Sequence, residues 1–137
     1  MKRPLEMAHD FLAEVVTKED IVVDATMGNG HDTLFLAKLA RKVYAFDIQE
    51  QALEKTQERL DQAGLTNAQL ILQGHEKLDQ FVTEAKAGIF NLGYLPSADK
   101  SVITQPQTTI EALEKLCGLL VKGGRIAIMI YYGHEGG

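Results

Sequence analysis

The residues whose types and spacing suit chemistry are Asp24, Gly28, Gly30, Asp47, Asn91 and Tyr94. Asp24 opens the stretch D-A-T-M-G-N-G-H-D-T, in which Gly28 and Gly30 let the backbone turn tightly and approach a ligand that a Cβ would block. Asp47 follows roughly 20 positions after the turn, where a carboxylate can accept both hydroxyls of a ribose. Ile48 beside it can lie against an adenine face. In N-L-G-Y-L-P, the Asn91 amide oxygen can accept a hydrogen bond from an amine, and the Tyr94 ring can stack on a base. Each stretch also has a plainer reading. Asp47 could cap the next helix, and Asn, Gly and Pro are turn residues.

These residues need elements to hold them. Ile21, Val22 and Val23 read as a buried strand ending at Asp24, and a helical pattern takes over from Thr33 with Leu34, Leu36, Ala37 and Leu39. Strand, glycine turn and helix start together make a nucleotide-type cofactor site. Thr26, Met27, Gly28, Asn29, Gly30, His31, Asp32 and Thr33 form its turn and rim. Upstream, Leu5 to Val16 is an amphipathic helix on the sheet edge; its His9 is read as a helix residue that could overhang the cofactor's far end. Downstream come a strand over 42–46, a helix over 51–63 stopped by Gly64, and a strand over 68–72. Gly74, His75 and Glu76 at that strand's end should edge the adenine pocket. A short helix over 78–85, a strand over 88–91 and a polar loop over 97–107 follow. The last helix spans 108–121, with Ile110, Leu113, Leu116, Leu119 and Leu120 inward and Gly123 and Gly124 ending it. The strand over 125–131 is apolar enough for a central position. Alternating strands and helices imply an α/β fold with a parallel sheet and helices on both faces.

The length suits one domain over 1–137. The single Cys117 allows no internal disulfide, fits a reducing cytoplasm and reads as a core residue among leucines. No apolar run is long enough for membrane insertion, and a net charge of −5 argues against a general nucleic-acid coat, though not against docking one folded RNA. His75 has no second ligand at metal spacing, so no metal site is expected. The choice of cofactor turns on Asp24. A carboxylate before the turn suits a cationic amino group and repels a pyrophosphate, and Thr33 stands where a dinucleotide turn wants a third glycine. S-adenosylmethionine, which carries an ammonium and no phosphate, is the expected cofactor; a nicotinamide dinucleotide, in an oxidoreductase, is the alternative.

D-A-T-M-G-N-G resembles motif I of class I methyltransferases, with Thr26 in place of its first glycine, and N-L-G-Y resembles their N-P-P-Y motif without the prolines. L-V-K-G-G-R before the last strand is also typical of that superfamily. D-A-T-M-G-N-G-H-D-T, N-L-G-Y-L-P, D-K and Y-Y-G-H-E-G-G together resemble the bacterial family labelled "putative rRNA methylase", whose members include tRNA wobble-uridine methyltransferases of the MnmM type. Ser97 and Ala98 stand where that family usually has Gly-Gly. The resemblance implies a Rossmann-like class I fold and methylation of the amine of 5-aminomethyl-(2-thio)uridine in the tRNA anticodon. It gives Asn91, Tyr94 and His134 catalytic roles, with Tyr131 and Asp99 as further proton acceptors. The class I sheet has seven strands, so strands six and seven are expected to be missing from a chain shortened at its C-terminus. The rivals are an rRNA base N-methyltransferase and a non-catalytic module that binds cofactor and RNA. The sequence does not give the oligomeric state; a homodimer is one assembly it allows.

Overall fold

The computed structural model describes residues 2–95 and 106–132, with the backbone alone at 93–95 and 131–132. In chain order the elements are α1 (Pro4–Ala13), β1 (Ile21–Asp24), α2 (His31–Leu39), β2 (Lys42–Asp47), α3 (Glu50–Gln62) and β3 (Ala68–Leu72). A 3-10 turn (His75–Gln80), β4 (Ala85–Leu95), α4 (Gln107–Leu119) and β5 (Leu120–Tyr132) follow. The strands form one parallel sheet in the order β3-β2-β1-β4-β5. The chain builds outward from β1 through β2 and β3, then crosses back to place β4 on the other side of β1. Such a reversal opens a crevice at the carboxyl ends of the two strands, because their following connections leave in opposite directions. The Rossmann-like expectation holds.

Strand alternation explains the two-faced core. Val22, Val43, Ala87, Ile89 and Ala127 meet α1, α2 and α3 through Leu12, Leu36, Ala37 and Leu60. Their neighbours Val23, Phe46, Ile71 and Phe90 point the other way, against Leu78, Ala112 and Leu116. Both sheet faces are thus covered, which is why the strands read as continuous apolar runs rather than alternating ones. At Gly88 an added Cβ would stand 2.3 Å from a Leu116 methyl, so the absence of a side chain there is what lets α4 lie against β4. Helix α1 begins at Pro4, with the Glu6 carboxylate accepting the Arg3 N–H at 3.0 Å. Arg125 of β5 ties it down, donating to the Phe11 carbonyl at 2.8 Å and to the Glu14 carboxylate at 2.6 Å while lying over the Phe11 ring.

Several boundaries differ from the sequence expectation, each for a physical reason. The short helix over 78–85 is instead the 3-10 turn, which ends early because Leu78 and Val82 turn into the core and Ala85 already pairs with Leu120. Helix α4 ends at Leu119, not after Val121, and the Gly123–Gly124 pair lies inside β5 where its register with β4 shifts. Gly123 has φ +82°, and a Cβ on Gly124 would meet the Lys86 and Val121 carbonyls at 2.8 and 2.9 Å. The glycines therefore serve a strand irregularity rather than a helix stop. On α4 the buried stripe is Thr109, Ala112 and Leu116, so Ile110 and Cys117 are exposed and neither is a core residue. Leu113 and Leu119 flank that stripe, partly buried against the same cluster. Among the described residues β5 pairs only with β4, and its Ile128 and Ile130 are exposed, so the strand expected to be central stands at an edge here. No helix among the described residues is long and apolar enough to cross a membrane.

Candidate functional site

The glycine turn is sewn to the strands on both sides of β1. Ala25 donates its N–H to the Ile89 carbonyl of β4, and Met27 donates to the Phe46 carbonyl of β2, each at 2.9 Å. Gly28 (φ +54°) and Gly30 (φ +90°) lie in the left-handed region. At Gly30 a Cβ would meet Thr56 at 2.7–3.0 Å, so this glycine is needed for the approach of α2's start to α3. At Gly28 a Cβ would meet only the Thr26 carbonyl, at 3.8 Å. Its open side faces the crevice, which it lines.

Asp24 is fully buried beneath the turn. One carboxylate oxygen accepts the Thr26 N–H at 3.0 Å and the other accepts the Thr33 hydroxyl at 2.6 Å. Burial, then the nearby Asp32 and Asp47 carboxylates, push its pKa from 3.8 up to about 7, against the lowering effect of those two hydrogen bonds. Asp47 does not cap α3, whose N-cap is Gln49. It accepts the Gly28 N–H at 3.0 Å and the Gln49 N–H at 2.9 Å, clamping the turn to the end of β2, and it lines the crevice.

Asn91 joins the turn from β4. Its backbone N–H donates to the Thr26 hydroxyl at 2.7 Å, and its side-chain nitrogen donates to Asp32 at 3.4 Å. The other Asp32 oxygen pairs with His9 Nε2 at 2.7 Å, and the His9 ring stacks on Phe35 with centroids 3.8 Å apart. On the far wall His75 bridges two elements. The Ala25 carbonyl can only accept, so Nδ1, at 2.8 Å, carries a proton, and in the neutral ring Nε2 accepts from the Thr109 hydroxyl at 3.0 Å.

The resulting crevice holds about 620 Å³. That volume suits a nucleoside-sized ligand. Of the positions expected from sequence, Thr26, Gly28, Asp47, Ile48, Gly74, His75, Glu76 and Asn91 line it. Asp24, Met27, Asn29, Gly30, His31, Asp32 and Thr33 do not. Met27 turns into the core beside Ala45 and Ala52, because its backbone is bonded to β2. Thr33 and Asp24 satisfy each other below the turn, and His31 stands exposed at the start of α2. The candidate proton acceptors His134 and Asp99, and positions 97–105 of the loop expected over 97–107, lie outside the described residues; Pro106 and Gln107, expected in that loop, are instead the N-cap and first residue of α4. Tyr94 and Tyr131 are paired in the β4–β5 register. Phe46, Pro106, Thr108 and Thr109 line the crevice without having been singled out. Pro-x-Thr-Thr ahead of a helical pattern is a helix-start signal that places the last three at a ligand-facing helix end. No sequence signal pointed His9 at Asp32.

Chemically, the carboxylates of Asp32 and Asp47 gather negative charge around one turn, and Asp24, titrating at about 7, adds to it only as it ionises. A cationic ligand gains from that field, and a pyrophosphate, which would need the turn's N–H groups, meets Asp47 already bonded to the Gly28 N–H.

A family profile described as "Putative rRNA methylase" matches residues 43–137. The chain is 40% identical over 151 residues to the "tRNA (mnm(5)s(2)U34)-methyltransferase, chloroplastic" of Arabidopsis thaliana, covering 99% of this chain and 55% of that relative. The chain thus spans little more than half of that relative's length. Among solved structures, a "putative methyltransferase" from Streptococcus mutans in complex with SAH is 60% identical, with a TM-score of 0.86 over 97% of this chain and 75% of that one. A "putative rRNA-methylase" from Clostridium thermocellum is 45% identical, with a TM-score of 0.86 over 98% of this chain and 75% of that one.

Proposed function

The chain belongs to the family described as "Putative rRNA methylase", and from that premise we propose that it transfers a methyl group from S-adenosylmethionine to an RNA amine, specifically the aminomethyl nitrogen of 5-aminomethyl-(2-thio)uridine at the tRNA wobble position. The observation that carries the reading is the meeting of two stretches at one turn. The acid-ringed glycine loop and Asn91 are bonded directly, through the Thr26 hydroxyl. The Asp32 and Asp47 carboxylates, with Asp24 able to ionise when a cation binds, fit a ligand with a sulfonium and an ammonium, and they fit a dinucleotide poorly. The SAH complex of the Streptococcus mutans relative supports the same cofactor, and the Arabidopsis thaliana relative's description supports the wobble uridine.

When bound, the cofactor supplies an electrophilic methyl on a sulfonium sulfur. The chain's residues do the rest. Asp47 keeps acceptor capacity toward the crevice for ribose hydroxyls, Ile48 offers a 74% exposed apolar face to the base, and Gly74 lets the Glu76 carboxylate pack against the end of β3 at the crevice wall. An alkylamine is largely protonated at neutral pH, like lysine. Asn91 Oδ1 and the Leu92 carbonyl, at the mouth between β1 and β4, can accept the N–H groups of the neutral amine and aim its lone pair. Tyr94 is assigned the uracil ring, and His134 the departing proton. The cytoplasm, where a lone exposed Cys117 stays reduced, is the proposed setting.

The family's description favours one second reading, an rRNA base amine as acceptor. Nucleoside mass spectrometry of tRNA and rRNA incubated with the chain and S-adenosylmethionine separates the two. Conversion of 5-aminomethyl-2-thiouridine to its methylamino form in tRNA is the expected result. A methylated rRNA base would favour the second reading, and methyl in neither RNA would overturn both.

A further inference from the structure

We propose that His9 and Asp32 are positioning residues that lock the Asn91 side-chain amide with its nitrogen toward Asp32 and its oxygen toward the crevice. This rests on the amine-binding role of Asn91 proposed above and deepens it. A carboxylate only accepts, so the end of the Asn91 amide that faces Asp32 Oδ2 at 3.4 Å is its NH2. That leaves Oδ1 as the end available to an incoming N–H. A free asparagine amide can flip, and flipped it would donate to the amine's lone pair and tie up the electrons that must attack the methyl. What prevents the flip is that Asp32 is itself held. Its other oxygen takes His9 Nε2 at 2.7 Å, it lies in the first turn of α2 where the helix dipole favours negative charge, and its side chain is 5% exposed. The His9 ring is held in turn by near-parallel stacking on Phe35, at an interplanar angle of 4°.

The alternative role for this chain of contacts is to dock α1 on the sheet. Other contacts already do that. Leu12 and Val16 are buried in the core, and Arg125 grips Phe11 and Glu14. A polar pair that is 18% and 5% exposed adds little to docking, since desolvating such a pair costs about what its attraction returns. Its geometry is spent on Asn91. Helix α1, which contributes no residue to the crevice lining, thereby acts on the site through two side chains.

The test reads the amide directly. The chain has three asparagines, Asn29, Asn67 and Asn91, so asparagine labelled with 15N gives three side-chain NH2 pairs, and Asn91→Ala identifies the one in question. His9→Phe keeps the stacking and removes the hydrogen bond; His9→Gln restores a donor. In His9→Phe the Asn91 pair should shift and its solvent exchange should quicken about tenfold, with recovery in His9→Gln. The turnover number for methyl transfer should fall about tenfold in His9→Phe, with KM for S-adenosylmethionine within about twofold. Should His9→Phe fail to fold, Asp32→Asn asks the same question, because an amide there no longer dictates which end of Asn91 faces it. An Asn91 pair that is unchanged in the folded variant overturns the proposal whatever the activity. A pair that responds in a chain that methylates no RNA keeps the positioning and removes the methyl-transfer reading.

Discussion

Asp24 keeps a proton that its surroundings make costly to lose. Its carboxyl in the folded chain titrates near 7, against 3.8 in the open chain, because it is buried and faces Asp32 and Asp47. Between those values the folded state binds more protons than the unfolded state. This group's contribution to stability is therefore greatest below 3.8 and declines as pH rises through the window, the loss being complete above about 7. In thermal unfolding without ligand, Asp24→Asn should gain on the parent chain as pH rises from about 4 to about 8, with the two closest at the acid end. A cationic ligand favours the ionised form, so binding should expel the proton and S-adenosylmethionine affinity should rise over the same range, more steeply than in Asp24→Asn. A flat difference in midpoint would mean that Asp24 is ionised throughout. Asp47 acts differently, as a bonded and accessible carboxylate. Asp47→Ala removes charge-assisted hydrogen bonds worth about 1.5–3 kcal/mol, so S-adenosylhomocysteine affinity should fall about 10–100-fold in calorimetric titration while turnover at saturation changes little. At this scale the sequence showed which residues gather but not how. Asp47 and Asn91 could be read from their places after a strand and a turn, whereas the burial of Asp24 and the reach of His9 to Asp32 depend on contacts between distant segments.

The elements divide the glycine turn's work between two positions. Gly30 is structural, since a Cβ there would strike Thr56 of α3 and the backbone is left-handed. Gly30→Ala should cost about 2–5 kcal/mol of stability, combining left-handed strain with overpacking. Gly28 has free space, so Gly28→Ala should cost only about 1 kcal/mol but weaken cofactor binding, because the methyl enters the crevice beside Asp47. Urea unfolding with cofactor titration checks both; equal stability losses would contradict the division. Elements with a strong local pattern were legible. The strand over 68–72 was placed to the residue, and β1, β2 and α3 to within one or two. What was not legible depends on packing between elements. The 3-10 turn is held to α4 by Lys115, which donates to the Glu76 carbonyl at 2.7 Å and pairs with Asp79, and by His75 on Thr109. Neither contact has a periodicity. The exposed Cys117 shows the same limit: a leucine-rich stretch indicates an apolar face, and the rotation of the helix on Gly88 decides which residues occupy it.

At the scale of the whole molecule, the strand order does what no single motif can. Segments that start at residues 21 and 85 become neighbours, and their carboxyl ends bring the glycine turn and Asn91, the proposed cofactor loop and amine acceptor, to one crevice. The alternation of strands and helices made the parallel sheet legible, and the glycine turn marked one wall of the crevice. The depth of the crevice, with α4's threonines as its second wall, came only from the assembled fold. The proposed function requires this crevice to separate two tasks, cofactor holding at Asp47 and the glycines, and amine presentation at Asn91. The decisive measurement is single-turnover methyl transfer to tRNA carrying 5-aminomethyl-2-thiouridine, by Asn91→Ala at saturating S-adenosylmethionine. The rate should be lower by about 100-fold or more, with S-adenosylhomocysteine affinity within about twofold of the parent chain. A rate equal to the parent's would remove Asn91 from the chemistry and overturn that division.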